Sequence, residues 1–285
     1  MPAAVDRVVF STECVTIGAF RCATTHPSFR DSGPIRDDCF VFPRTTVTIQ
    51  HDNAPAFVAD PTVVTLYNRN QHYERRAVSP DGDRCDWFAV SPELLRGALA
   101  DRDPAAADHD RPIRFTHARA DASTYLAQRR LFVEAVTAPG LAALEVEERV
   151  VALLDRVLGA AYEDARAAPP RQSLGHAADL ADAAKRFVAP RVSRRLTLTA
   201  IARAVQCSVF HLCRSFRSAT GLTLHGYRDE VRLRLALERL ERGERDLSLL
   251  ALDLGYSSHS HFTAAFRQTF GAPPSSVRKL LIVRD

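Results

Sequence analysis

The chain has 285 residues, 46% hydrophobic and 25% charged, which is enough for about two globular domains and excludes a chain disordered throughout. No run reaches the about 18 apolar residues of a membrane span, and Met1–Arg7 lacks the charged-then-apolar order of a secretory leader. A cytoplasmic protein without a membrane partner is therefore expected, and its net charge of +4 divides into −5 over residues 1–170 and +9 over residues 171–285.

The first ninety residues read as short strands. Val8-Val9-Phe10, Thr46–Gln50 and Val63–Tyr67 are the clearest, and the alternation in Thr46–Gln50 predicts a half-buried strand. Asp31-Ser32-Gly33-Pro34, Asp60-Pro61 and Ser79–Asp83 punctuate them as turns. Strands without intervening helices point to a small barrel or sandwich. Ser91 then reads as a helix N-cap with Pro92 at the first helical position. Two longer helices follow, over about 122–137, stopping at Pro139-Gly140, and from Leu141 to about Ala165. On the second, Val146, Val150, Leu153, Leu154, Val157 and Leu158 share one stripe. That stripe reads either as a layer covering the barrel or as a dimer interface. Pro169-Pro170 marks a linker, and everything after His176 reads as helical.

The last hundred residues contain a repeat. Leu198-Thr199-x-Ile201-Ala202-x-x-Val205 matches Leu247-Ser248-x-Leu250-Ala251-x-x-Leu254 at an offset of 49. Leu212, Phe216, Arg217 and Gly221 match Phe262, Phe266, Arg267 and Gly271 at an offset of 50. The one-residue slip falls in the turn between two short helices. Each copy is thus a helix, a tight turn, and a second helix opening at Ser208 or Ser258, which is a helix-turn-helix pattern. In such a unit the second helix lies in the DNA major groove. The excess of arginine supplies phosphate contacts.

This part resembles the AraC/XylS family of bacterial transcription regulators. The resemblance is carried by Leu198-x-x-Ile201-Ala202, Ser208-Val209-Phe210-His211-Leu212-Cys213-Arg214-Ser215-Phe216, Thr220-Gly221, Tyr227-Arg228 and Arg232. It continues through Leu250-Ala251-x-Asp253-Leu254-Gly255-Tyr256-Ser257-Ser258-x-Ser260-His261-Phe262 and Phe266-Arg267-x-x-Phe270-Gly271-x-Pro273-Pro274. It implies promoter binding by two helix-turn-helix units, over about 196–218 and 247–270, and RNA polymerase as a further partner. Base reading maps onto Phe210, Cys213 and Arg214 in the first unit and onto His259, Ser260 and Ala264 in the second. His211, Arg217 and Arg267 map onto phosphate contacts, with Ser208, Ser258 and Thr263 completing the DNA-facing set. Arginine can bind guanine bidentately, so Arg214 is the leading base reader.

The N-terminal half looks like the sensor of the same family, a cupin-like barrel joined to a helical dimerisation segment. The residues concerned are Phe42-Pro43-Arg44, Ala59-Asp60-Pro61, Leu66-Tyr67-Asn68-Arg69, Tyr73 and Gly82-Asp83-x-Cys85. The expected fold class is α+β: a small cupin-like β-barrel with a helical hairpin, then an all-α double helix-turn-helix domain. The expected boundaries are 1–120 for the barrel, 121–165 for the hairpin, 166–178 for the linker and 179–285 for the DNA-binding domain. A homodimer is expected.

The signal has two readings. In the first, Tyr67, Tyr73, Trp87, Arg75 and Arg44 line a small-molecule effector site. In the second, Cys22-x3-His26-x12-Cys39 together with Cys85 binds zinc or another soft metal, or acts as a thiol switch. Pro80–Cys85 resembles the second cupin motif, with Cys85 at its metal-binding position. The first cupin motif is absent, so a cupin-type metalloenzyme is the minor alternative and no catalytic residue is expected. Cys14, Cys22, Cys39, Cys85, Cys207 and Cys213 are expected to be thiols, metal ligands or redox groups rather than disulfides.

Overall fold

The computed structural model describes residues 5–31, 33–138, 140–167 and 171–281. Ser32, Pro139 and Pro169-Pro170, where turns and a linker are expected, lie outside the described residues. The chain forms two compact units, Met1–Arg166 and Ala167–Asp285. No described helix is long and apolar enough to cross a membrane.

Among the described residues the first unit has nine strands: β1 (Val5–Ser11), β2 (Val15–Cys22), β3 (Cys39–Pro43), β4 (Val47–His51), β5 (Phe57–Ala59), β6 (Val63–Tyr67), β7 (Tyr73–Ala77), β8 (Asp83–Val90) and β9 (His117–Arg119). They form a six-stranded antiparallel sheet, β1-β2-β8-β3-β6-β9, and a three-stranded one, β5-β4-β7. The expected barrel is therefore an open pair of sheets: among the described residues, no ladder joins the edge strands β1 and β9 to β5 or β7. Cys22, Phe29, Val47, Ile49, Phe57 and Ala59 pack between the sheets. Thr48 is buried along with Val47 and Ile49, so β4 is covered on both faces rather than half-buried.

One close approach organises the larger sheet. Gly18 faces Trp87 across the β2–β8 ladder, and a Cβ on Gly18 would lie 2.2 Å from the indole. The missing side chain lets the indole lie flat over the sheet and donate Nε1–H to Asp6 at 2.8 Å.

Helices cover the other face. Ser91 caps α1 (Pro92–Ala100), its hydroxyl accepting the Leu94 N–H at 3.2 Å, and Pro92 takes the first helical position as expected. The single turn α2 (Pro104–Ala107) follows, then α3 (Ala122–Thr137) and α4 (Ala143–Ala167). The α4 stripe from Val146 to Leu158 is buried within the single chain. It is a covering layer and is not left free for a second copy. Arg129 of α3 and Asp86 of β8 form a buried ion pair beneath this layer.

Among the described residues the second unit has seven α-helices: α5 (Arg171–Val188), α6 (Leu198–Ala204), α7 (Val209–Thr220), α8 (Leu224–Glu241), α9 (Leu247–Asp253), α10 (His259–Phe270) and α11 (Pro274–Leu281). Most of the segment expected as a linker is helical, because α4 runs to Ala167 and α5 begins at Arg171. The reason lies on α5 itself. Leu180, Ala181, Ala184 and Val188 recur on one face and enter the core with Ile201, Leu212, Phe216 and Tyr227.

His51 gives the first unit a pH dependence. Its ring lies 4.6 Å from Tyr67 and 5.6 Å from Phe57, and burial pulls its imidazole down to about 4. The folded form stays neutral where the unfolded chain, at the usual 6.5, takes up a proton. Stability supplied by this group is present above about pH 6.5 and drains as the pH falls toward 4, by on the order of 3 kcal/mol. Urea unfolding from pH 7 to 4 reads this loss, and His51→Phe is expected to flatten it.

Candidate nucleic-acid interface and inner cavity

The two helix-turn-helix units are built alike from local chemistry. Ser208 caps α7 by accepting the His211 N–H at 3.1 Å, and Ser258 caps α10 by accepting the His261 N–H at 3.2 Å. Each helix has 12 residues and ends on a left-handed glycine, Gly221 or Gly271, whose N–H bonds the carbonyl of Arg217 or Arg267 at 2.9 Å. Leu212 and Phe216 on α7, like Phe262 and Phe266 on α10, are buried. Four residues separate α6 from α7 and five separate α9 from α10, which accounts for the slip in the repeat.

The opposite faces are open. Phe210 is 77% exposed, far more than a core phenylalanine, and His211, Arg214 and Arg217 are exposed beside it. On α10, His259, Ser260, Ala264 and Arg267 are exposed and Thr263 is half-buried, its hydroxyl 3.3 Å from His259 Nε2. Cys213 differs from the expectation. It is half-buried and packs against the α5–α7 core, so it presents less of itself than Phe210 or Arg214. The Ser208 and Ser258 hydroxyls are committed as helix caps.

Helix α8 joins the units and is pinned at both. Arg228 Nε and Arg232 Nε donate to the Val192 carbonyl at 2.8 and 2.9 Å. The Arg232 guanidinium also stacks over Tyr256, 5.4 Å from the ring centre, in the turn of the second unit. Beside it Gly255 sits at φ +82°, where a Cβ would come within 2.3 Å of the Ser193 carbonyl oxygen. The corresponding turn residue of the first unit, Gln206, is also left-handed, at φ 56°. Sequence reading placed Arg232 and Gly255 in the family pattern without giving them this contact.

The inner face of the β-rich unit holds a cavity of about 520 Å³. Tyr67, Tyr73 and Trp87 line it, as expected, together with Cys39 and Cys85. Arg75 and Arg44 do not. Arg75 is buried behind the wall, its Nη1 on Asp83 at 2.5 Å and its Nε on the Phe29 carbonyl at 2.7 Å. Its strand alternates, so Arg75 points inward while Arg76 is exposed. Arg44 follows β3 onto the opposite face of the sheet.

The expected metal set is not assembled. Cys22 packs in one apolar cluster and Cys39 with Cys85 in another, while the His26 ring accepts the Ser28 N–H at 3.2 Å. Among the described residues no three His, Cys, Asp or Glu side chains are grouped to hold a metal ion. Burial also pushes the thiols of Cys22, Cys39 and Cys85 up, so they stay protonated at neutral pH and lack the thiolate that soft metals and oxidants need. These residues do not fit zinc or another soft metal.

A family model described as a helix-turn-helix domain matches residues 201–280. The regulatory protein SoxS of Escherichia coli is 34% identical over 95 residues, which cover 33% of this chain and 89% of SoxS. The transcriptional activator RhaS of Pectobacterium atrosepticum is 31% identical over 74 residues, 26% of each chain. Among solved structures, ToxT from Vibrio cholerae is similar over 95% of this chain and 99% of its own, with TM-score 0.38 and 11% identity. The DNA-binding domain of AdpA, solved with a target DNA, covers 35% of this chain and 89% of its own, with TM-score 0.33 and 22% identity.

Replacing Gly255 by alanine forces a side chain into a left-handed backbone and against a carbonyl. A loss of about 2 kcal/mol or more in the stability of the second unit is expected, read by urea unfolding of the full chain.

Proposed function

The chain is a member of the AraC/XylS family of DNA-binding transcriptional regulators, and from this premise we propose that it reads promoter DNA with α7 and α10 while its β-rich unit senses a small organic molecule. The observation that carries the reading is the pair of capped 12-residue helices, each burying two aromatic or aliphatic anchors and exposing its first turns. At about 1.5 Å per residue, the 18 residues of α8 span about 27 Å, close to the about 34 Å of one DNA turn. Two heads on one chain then enter successive major grooves. Arg214 reads guanine O6 and N7, and Phe210 packs on a thymine methyl. His211, Arg217 and Arg267 hold phosphates, and Ser208, Ser258 and Thr263 flank them. His259 and Ser260 read bases in the second unit. Ala264 has no polar atom, so this unit adds mainly backbone affinity.

The family regulates transcription, and no catalytic role is assigned to any residue. We assign RNA polymerase and a second copy of the chain as partners and activation as the direction of control. The α4 stripe is already covered, so the dimer contact lies elsewhere. The inner cavity between Tyr67, Tyr73 and Trp87 is the effector site, suited to a compact, largely apolar molecule. Binding there shifts the population between two arrangements of the first unit.

Arg214→Ala is expected to cost about 1–3 kcal/mol on the specific site and to relax preference at one base position. Arg217→Ala is expected to weaken all sequences alike and to lower the salt slope by about one. Competition binding at two salt concentrations separates them, and uniform loss in Arg214→Ala would make that residue a phosphate contact.

Trp87 is the sole tryptophan and lines the cavity. A cavity ligand is therefore expected to shift intrinsic fluorescence saturably, and Ala59→Phe, which fills the space, to abolish the shift. A shift unchanged by Ala59→Phe would place the ligand elsewhere.

A further inference from the structure

Strand alternation sorts the charges of the larger sheet by face. Across the β1–β2–β8 ladder, Val8, Gly18 and Trp87 lie in one row and Asp6, Phe20 and Cys85 in another, and both rows belong to the inner face. Arg7, Arg21 and Arg84 take the alternate positions, which belong to the outer face. From the strands the inner cavity therefore receives the carboxylates of Asp6 and Asp83 and no basic side chain. Arg36 and Asp37 join it from the segment before β3, and among the described lining residues Arg36 is the one cation against three carboxylates. Asp83 is ion-paired to Arg75, whereas Asp6 and Asp37 are exposed and so stand at the mouth.

A cleft lined mainly by one sign of charge, with apolar walls, concentrates the field. Cys39, on the cavity wall, registers it: burial first, then the charges of Asp38, Asp37 and Asp6, push its thiol up. The rings are not equivalent toward a cation. Arg75 already lies 4.6 Å from the centre of Phe20 and 5.4 Å from that of Tyr73, so a second cation on those rings is repelled. Trp87 is half-buried beside the mouth and gives its Nε1–H to Asp6 at 2.8 Å. A carboxylate acceptor pushes electron density into the indole, whose face is the best aromatic partner for a cation. Deeper in, Val41, Val47, Ile49 and Tyr67 are buried and offer an apolar wall. Among the described residues no three His, Cys, Asp or Glu side chains are grouped to hold a metal ion, so the spread of charge matches an organic cation better than a bare one.

We propose that the inner cavity binds an organic ammonium ion with an apolar body, the ammonium resting on Trp87 between Asp6 and Asp37 and the body lying against Tyr67. This inference rests on the reading of the cavity as a ligand site and adds the charge of the ligand.

Titration of the full chain with 4-phenylbutylamine, 4-phenylbutanol and 4-phenylbutyrate, followed by Trp87 fluorescence and by calorimetry, tests it. One amine is expected to bind per chain, about tenfold tighter than the alcohol, with the acid weakest. Asp6→Asn with Asp37→Asn removes both charges, and the new amide oxygen on β1 can still accept the indole N–H. In this variant the amine is expected to fall to the affinity of the alcohol, and the alcohol to bind as before, which shows that the cavity is intact. Alcohol or acid binding as tightly as the amine, or an amine preference that survives in the double variant, overturns the proposal and leaves the cavity standing as a ligand site. Saturable binding by none of the three, or amine binding indifferent to Ala59→Phe, overturns both. Amine binding that meets these expectations but leaves promoter DNA affinity unchanged supports the ammonium site and overturns only the effector role.

Discussion

A buried guanidinium holds the DNA-binding unit together. Arg232 reaches from the middle of α8 to the Val192 carbonyl on one side and to the Tyr256 ring on the other. Arg228 doubles the first contact, and Gly255 supplies the missing Cβ that lets the second turn come close. A polar group inside a protein is costly unless its hydrogen bonds are made there, and here they are made to backbone of the first half while the stacking is to a side chain of the second. The relation of α7 to α10 depends on this junction, because α8 joins the two helix-turn-helix units and Arg232 ties it to both.

The β-rich unit uses the same device with the sign of the contacts changed. Asp86 lies under α3 and is neutralised by Arg129, and Asp83 lies under the smaller sheet and is neutralised by Arg75. Asp83 and Asp86 sit on opposite faces of β8, so one strand carries a buried ion pair toward each layer. Removing either partner would leave a buried charge unpaired, a much larger penalty than losing a surface pair. Asp83 of the second pair also lines the inner cavity.

Local chemistry was what the sequence displayed most readily. Ser91, Ser208 and Ser258 announce helix starts because a hydroxyl three residues ahead of an orphan N–H is a short-range interaction, and Gly221 and Gly271 announce the ends. The repeat with its slip announced two turns of unequal length. Properties that depend on pairing register were not legible. Arg75 and Arg76 look equivalent as text, and only the period of the strand sends one inward. Cys22, His26 and Cys39 have ligand-like spacing, but strand pairing separates them. Helix α5 was partly hidden by the neighbouring prolines, although its apolar face carries a clear helical period.

If α7 and α10 read DNA as proposed, the junction around Arg232 has a consequence for the nucleic acid. Two heads joined by a soft hinge would adjust themselves to whatever groove spacing they met. Heads locked through one buried side chain form a ruler of fixed length, about 27 Å along α8. Any difference between that ruler and the helical repeat has to be absorbed by the duplex. Sequences with easily kinked pyrimidine–purine steps between the two contacted grooves absorb it cheaply and stiff A-tracts do not. On that reading, promoters are selected partly by base pairs that the protein never touches.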